Sequence, residues 1–253
     1  MLQTERHEMI MEKILKEQSI KTIDICNLLN VSRQTIRNDL EYLDSIGKLK
    51  KVHGGAILEK KSIEPSFETR SNNNLTEKKA IAAQAAQMIE DGDTIYLDIG
   101  TTVGEMIPHL NKFSNLTIIT NSINFAYHLS QYKNIRVICS GGEMRNSEKS
   151  LSGHIARKIL ENYYVDKSFI GIGGVSEKAG YTDYYVDEAE IRKLMIHHSN
   201  ISYALLDYSK VNVIAIAKYA NLSDIETVIT DSKTPKSFRN ILEDNGVEVI
   251  TVE

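Results

Sequence analysis

From residue 76 onward, short apolar runs alternate with stretches of helical periodicity, and no other feature of this chain constrains its fold as much. The apolar runs fall at 94–97, 116–119, 135–139, 168–172, 203–206, 227–229 and 247–251. Helical stretches separate most of them, as at 154–162, 188–198 and 236–244, and Ile81, Ala82, Ala85, Met88 and Ile89 give one more before the first run. A parallel strand pair needs a long crossover between its members, so strands alternating with helices point to an α/β domain with a largely parallel sheet. Residues 76–253 are long enough for one such domain.

The N-terminal part reads differently. Ile10 and Ile14 are spaced i, i+4 in a helix expected over 4–17. A second helix is expected over 22–29, with Thr22 as N-cap, Ile25, Leu28 and Leu29 facing inward, and Asn30 ending it in the left-handed conformation. The third helix has Ser32 as N-cap, Val31 and Ile36 at hydrophobic-staple spacing, an apolar stripe of Ile36, Leu40 and Leu43, and a stop at Gly47. Two short helices joined by a Leu-Asn-Val-Ser turn are a helix-turn-helix pattern. The basic stretch from Lys48 to Ile57 then reads as a small hairpin, or wing. From 59 to 75 the pattern dissolves around Pro65 and an Asn72-Asn73-Asn74 run, giving a linker between a DNA-binding domain at 1–58 and an α/β domain at 76–253.

With Ile36, Leu40 and Leu43 buried, the opposite face of the third helix carries Arg33, Gln34, Arg37, Asn38 and Glu41. Arginine can fork onto guanine, and glutamine or asparagine onto adenine. The hydroxyls of Ser32 and Thr35 and the free amides of the first helical turn suit a phosphate. Lys48, Lys50, Lys51, His53 and Gly54 of the wing are placed to reach the DNA backbone or a minor groove.

In the larger domain, polar small-residue turns follow the strands: Asp98-Ile99-Gly100-Thr101-Thr102, Thr120-Asn121-Ser122, Gly141-Gly142 with Arg145, and Ser152-Gly153 opening a helix. In open α/β sheets, ligands lie beyond the carboxyl ends of strands. Four such turns on one edge suit a polyhydroxylated anion, most simply a sugar phosphate, with Asp98 and Glu188 for hydroxyls and Arg145, Lys167 and Lys210 for charge. The bland alternatives are that Asp98 only caps a helix and that Glu188 and Arg192 form a surface i, i+4 pair. Gly171-Ile172-Gly173-Gly174 lacks the fuller dinucleotide pattern and supports a nucleotide or coenzyme A ligand only weakly. The Tyr163-Tyr164 and Tyr184-Tyr185 pairs read as packing and interface residues rather than stacking platforms. His197-His198 lacks metal-ligand spacing, so no metal site and no cofactor is expected.

Composition bounds these readings. Hydrophobic residues are 42% and charged residues 25%, which excludes disordered, collagen-like and disulfide-scaffold chains. The formal net charge of -4 divides unevenly: residues 1–60 hold 10 Lys+Arg against 9 Asp+Glu, and the remainder holds 20 against 25. Phosphate affinity rests on a local footprint, so the acidic total does not oppose DNA binding. Cys26 and Cys139 form no CxxC motif, no apolar run approaches the ~18–20 residues of a membrane span, and the N-terminus is acidic where a signal peptide is not, so a reduced, cytoplasmic protein with no membrane partner is expected.

The motifs together resemble the DeoR-type bacterial transcriptional regulators. The resemblance is carried by the segment from Val31 to Leu40, then Leu43, Gly47, Leu49 and His53-Gly54-Gly55-Ala56. It continues through Glu77-Lys78, Gly92-Asp93, the Asp98 and Thr120 turns, Gly141-Gly142 with Arg145, Ser152-Gly153, Asp166-Lys167, Glu188-Ala189, Asp207 with Ser209-Lys210, and Thr230-Asp231. It implies a winged helix-turn-helix plus an α/β sensor domain resembling the fold of ribose-phosphate isomerases, glucosamine-phosphate deaminases and coenzyme A transferases. It also implies a homo-oligomer (dimer or tetramer) that binds double-stranded operator DNA, represses sugar-utilisation genes and senses a phosphorylated sugar. Asn38 stands where the family often has a second arginine, and Val103 where a third threonine is common. An aldose–ketose phosphate isomerase or deaminase with a DNA-binding appendage is the competing reading, with Asp98 or Glu188 as proton-transfer base and Lys167 as helper.

Overall fold

Ile10 and Ile14 bring α1 (Gln3–Glu17) onto the same small core as Ile25, Cys26 and Leu29 of α2 (Thr22–Leu29) and Ile36, Leu40 and Leu43 of α3 (Arg33–Ser45). Leu28, expected inward, is instead exposed, because the buried stripe of α2 runs along Ile25, Cys26 and Leu29. Thr22 is the first helical residue rather than the cap, and Lys21 holds the N-cap position without a side-chain bond. Asn30 adopts φ 52° and ψ 49°, the left-handed turn between α2 and α3. Ser32 caps α3 by accepting from the Thr35 amide at 3.1 Å.

A strand not expected from the sequence, β1 (Ser19–Lys21), joins the wing strands β2 (Lys50–Val52) and β3 (Gly55–Ile57) in an antiparallel sheet of order β1-β3-β2. The two wing glycines have different reasons to be glycine. Gly54 turns the hairpin at φ +84°, whereas a Cβ on Gly55 would lie 2.0 Å from the Ile20 carbonyl oxygen of β1.

The computed structural model describes residues 2–17, 19–45, 48–57 and 64–253, and the expected helix stop at Gly47 and the start of the expected linker lie outside them. The chain divides into two compact units, 1–61 and 62–253. The part of the expected linker that is described is not featureless. Ser66 caps α4 (Phe67–Asn72), and after Asn74 in the left-handed conformation α5 (Leu75–Ala85) begins.

In the second unit the chain then runs through β4 (Thr94–Leu97), α6 (Thr101–Gly104), β5 (Leu116–Thr120), α7 (Ile123–Leu129), β6 (Ile135–Cys139), β7 (Glu143–Arg145), β8 (Ser150–Ser152) and α8 (Gly153–Leu160). It continues as β9 (Val165–Gly171), β10 (Gly174–Ser176), β11 (Gly180–Asp183), α9 (Val186–His197), β12 (Ser199–Leu205), β13 (Ala217–Ala220), β14 (Thr227–Asp231), α10 (Lys236–Asp244) and β15 (Glu248–Val252). Seven strands form one parallel sheet of order β15-β14-β12-β9-β4-β5-β6. A small antiparallel sheet (β10-β11-β13) and the β7–β8 hairpin stand apart from it.

Side chains alternate between the two faces of the parallel sheet, and both faces are apolar. Ile95, Leu97, Phe169 and Leu205 pack on one side with Ile81 of α5 and Phe125 of α7. Tyr96, Ile170, Ala204 and Val228 pack on the other with Leu160 of α8, Met195 of α9 and Leu242 of α10. Val103 is fully buried in the first of these clusters with Met106 and Phe125, so its departure from threonine serves packing.

The strand order reverses once near the middle. From β4 the chain moves outward to β5 and β6, then returns to the opposite side of β4 with β9 and moves outward through β12, β14 and β15. The carboxyl ends of β4 and β9 are therefore neighbours at a topological switch point, where open α/β sheets form their ligand crevice.

Candidate functional site

On the first unit, Arg33, Gln34, Arg37 and Asn38 are all exposed on one side of α3. Gln34 Nε2 donates to Asn38 Oδ1 at 2.9 Å, one helical turn on, so the two amides form a single polar surface. The Ser32 and Thr35 hydroxyls bond each other at 2.9 Å at the start of the helix. Glu41 pairs with both Arg37, at 3.6 Å, and Lys51 of the wing, tying helix to hairpin. A concavity of about 770 Å³ opens there, lined by Lys21, Arg33, Arg37, Lys51 and His53. Lys50 and His53 are exposed. Cations around a concave surface beside an exposed Arg/Gln/Asn helix face suit a phosphate backbone next to base edges.

The orientation of α3 depends on a residue that sequence reasoning assigned no role. Asp39 is buried on the inner side of α3 and accepts from Arg6 Nε at 2.8 Å and Nη2 at 2.9 Å, with His7 Nε2 at 3.0 Å. Burial pushes its carboxyl up, but the hydrogen bonds from Arg6 and His7 outweigh this and hold it below the ordinary aspartate value. The His7 ring also stacks on Tyr42 of α3 at 5.0 Å. A lone apolar-pattern reading has no signal for such a clamp.

On the second unit, the switch point has a closed polar floor. Asp98, which follows β4, accepts from the Gly171 amide at 3.0 Å and from Arg192 Nε at 2.7 Å. Arg192 Nη1 donates to Asp183 Oδ2 at 2.5 Å. Asp98 therefore neither caps a helix nor stands free for a sugar hydroxyl on that oxygen; it ties β4, β9 and α9 together. Burial pushes its carboxyl up to about 6 despite the opposing Arg192 charge. Gly100 (φ +134°) approaches Gly171, and Gly171, Gly173 and Gly174 are all packed so that a Cβ would meet neighbouring backbone at under 3 Å. These glycines let strands approach; they do not line a dinucleotide cradle. Thr101 is half-exposed beside them and Thr102 is buried.

The other expected turns are also largely committed. Asn121 accepts from the Tyr96 hydroxyl at 2.8 Å and donates to the Leu151 carbonyl at 3.2 Å. Thr120 Oγ1 accepts from the Ser122 amide, and Ser122 caps α7. Gly142 is required where the chain passes α8, since a Cβ would lie 2.7 Å from the Ser152 carbonyl; Gly141 and Gly153 adopt positive φ. Ser152 holds the N-cap position of α8 without a side-chain bond.

Arg145 and Glu188 come together, but with each other. Arg145 Nη1 donates to Glu188 Oε2 at 2.9 Å and Nη2 to Glu64 Oε2 at 2.7 Å, and the guanidinium lies 3.2 Å above the Tyr185 ring centroid. Tyr185 is thus a platform for an internal arginine, which the packing reading missed. Ser150 Oγ donates to Glu188 Oε1 at 2.7 Å. Glu188 is buried, not a surface partner of Arg192, and its burial raises its carboxyl. Arg70 of α4 completes the cluster, pairing with Glu148 and, at 3.3 Å, with Glu64.

Lys167 does not stand with the other expected effector residues. It lies near the amino end of β9, level with Ile95 of β4, and donates to Asp93 at 2.6 Å. That edge is opposite the carboxyl ends of the strands, because β9 begins at Val165, earlier than the apolar run suggested. Lys210 follows β12 on the carboxyl edge of the sheet; burial lowers its ammonium, within reach of the charges of Asp207, Arg70, Glu64 and Asp183. Among the described residues, no group of three or more His, Cys, Asp or Glu could hold a metal, and no helix is long and apolar enough to cross a membrane.

These features have counterparts among known proteins. A family model described as the DeoR-like helix-turn-helix domain matches residues 6–62, and one described as the DeoR C terminal sensor domain matches residues 73–232. The chain is 34% identical to the HTH-type transcriptional regulator GolR of Listeria innocua over 98% of both proteins. It is 36% identical to the HTH-type transcriptional repressor GlcR of Bacillus subtilis, over 100% of this chain and 98% of that protein. The glycerol-3-phosphate regulon repressor of Escherichia coli is 29% identical over 98% of this chain and 99% of its own. Ribose 5-phosphate isomerase A of Methanocaldococcus jannaschii is similar in structure at a TM-score of 0.41 and 21% identity, over 55% of each chain. A winged helix-turn-helix followed by an α/β sensor, matched by both family models and by relatives over their whole length, makes this chain a member of the DeoR family of transcriptional regulators.

Proposed function

We propose that this regulator represses a sugar-utilisation operon, and that a phosphorylated sugar bound in the crevice at the carboxyl ends of β4 and β9 controls its hold on operator DNA. As a DeoR-family member the chain is a transcriptional regulator and not a metabolic isomerase. The DNA half of the reading is carried by one observation: Arg33, Gln34, Arg37 and Asn38 stand exposed on one side of α3, next to a wing with Lys50, Lys51 and His53. Gln34 and Asn38, hydrogen-bonded to each other, offer paired amides for a base edge, and Asn38 in place of a second arginine exchanges a phosphate contact for a base or water contact. A homodimer would present two such helices to successive major grooves ~34 Å apart.

The effector half is supported by the chemistry of the switch point. Gly100, the half-exposed Thr101 and Lys210 lie on the crevice edge, and Arg145, Ser152 and Gly153 belong to the hairpin and helix that follow β6. Hydroxyls, free amides and cations of this kind suit a phosphate with an attached polyol. To act, the ligand must bind the DNA-competent and DNA-incompetent states with different affinity.

Fluorescence anisotropy on the DNA upstream of the protein's own gene tests both halves at fixed salt. Saturable binding that Arg33→Ala or Arg37→Ala weakens is expected, and a sugar phosphate from a pentose and hexose phosphate series should shift the midpoint. Unaltered binding by both arginine variants rejects the α3 assignment. A midpoint that no member of the series moves rejects the effector assignment.

A further inference from the structure

The guanidinium of Arg145 meets an aromatic face and carboxylates at both of its terminal nitrogens. Its plane rests on Tyr185, and Nη1 is held by Glu188, which is itself buried and bonded by Ser150. Nη2 reaches a different kind of partner. Glu64 lies 81 positions away in sequence, in the segment that leads from the wing strands to α5, and its side chain is 11% exposed. That segment is fastened to the sensor by charge as well: Arg70 pairs with Glu148 and Glu64, and Lys78 of α5 donates to the carbonyls of Arg70 and Asn73.

The charges around this point do not favour a second anion as they stand. Glu64, Glu148 and Glu188 face Arg70 and Arg145, with the Lys210 ammonium within charge reach of Glu64, so the cations of the cluster are already matched by carboxylates. A phosphate needs a guanidinium fork of the kind a carboxylate occupies. Glu188 is buried and cannot leave without stranding a charge, whereas the Glu64 side chain is 11% exposed against 3% for Glu188 and for Glu148.

Building on the effector reading above, we infer that Glu64 is an internal stand-in for the anionic group of the effector. Its carboxylate holds Arg145 Nη2, and an anion that takes Nη2 displaces Glu64 and loosens the 64–73 segment from the sensor. Tyr185 and Glu188 keep the guanidinium in place while its third partner changes. The covalent path from the DNA-binding unit to the sensor thus ends in a contact that competes directly with the ligand.

The test uses the full-length protein and inorganic phosphate as the probe, titrated against chloride at matched ionic strength. Binding is read by calorimetry, and the 64–73 amides by hydrogen exchange. Glu64→Gln should bind phosphate about tenfold more tightly than wild type, as expected when a competitor that occupies nine-tenths of the sites is removed. Its 64–73 amides should exchange faster without phosphate, and phosphate should bring wild type towards the same rate. Glu68→Gln removes the same charge from an exposed position of α4 and should bind phosphate as wild type does. Equal affinity of wild type and Glu64→Gln overturns the competition, as does equal tightening by Glu68→Gln. Failure of both proteins to bind phosphate overturns it too. The effector reading survives each of these outcomes if a sugar phosphate still shifts the DNA-binding midpoint of wild type, and falls only if none does.

Discussion

Adjacent residues of one motif answer to different physics. Gly54→Ala meets no neighbour within 4 Å but forces alanine to φ +84°, a cost of about 1–2 kcal/mol. Gly55→Ala drives a Cβ into the Ile20 carbonyl and must push β1 off the wing. Urea denaturation should therefore rank Gly55→Ala as the more damaging of the two. Lys78 gives a prediction in pH. Burial lowers its ammonium to about 8, against an ordinary 10.5. Between those values the unfolded chain binds the proton and the folded chain does not, so stability rises with pH across that window. Relative to Lys78→Met, wild type should gain up to about 1.4 kcal/mol per pH unit from pH 8 to 10, read as urea midpoints at each pH. A flat difference between the two proteins would contradict the lowered ammonium.

At the level of elements, α3 has two faces with separable duties. Asp39, on the inner face, holds α3 to α1 through Arg6 and His7, while Arg33 on the outer face has no part in that clamp. Asp39→Ala should lower both the thermal midpoint of the DNA-binding unit and its DNA affinity. Arg33→Ala should lower affinity alone, as followed by circular dichroism and anisotropy on the same preparations. The outer face was legible in the sequence because caps, staples and stripes are local: Ser32, Val31, Ile36, Leu40 and Leu43 lie within one helix and its entry. The parallel sheet was legible for a similar reason, since each apolar run such as Thr94–Leu97 announces its own strand. The cluster around Arg145 was not, because its partners Glu64 and Glu188 lie 81 and 43 positions away and charged residues carry no periodicity. Lys167 shows the same limit from the other side: its residue type suited an anion, but only the strand's starting point decides which edge of the sheet it occupies.

For the whole molecule, the uneven charge makes a statement about salt. Residues 62–253 carry 19 Lys+Arg against 25 Asp+Glu, so the larger unit adds no general attraction to DNA. Affinity then depends on the phosphate contacts made by each small N-terminal unit, and a monomer should bind its operator poorly. Each lost phosphate contact reduces the log–log salt slope by about 1. Arg37→Ala should flatten the slope measured by anisotropy, by about 2 if a dimer presents both copies. An unchanged slope would assign Arg37 to base reading instead.

The bonded floor at the switch point, Asp98–Gly171–Arg192–Asp183, sets which replacements the second unit tolerates. In this floor two buried carboxylates share one guanidinium, so loss of Arg192 strands both, whereas loss of either aspartate leaves a matched pair. Arg192 is therefore the member of the floor whose replacement the fold tolerates least, and either aspartate can become asparagine before the guanidinium can be given up.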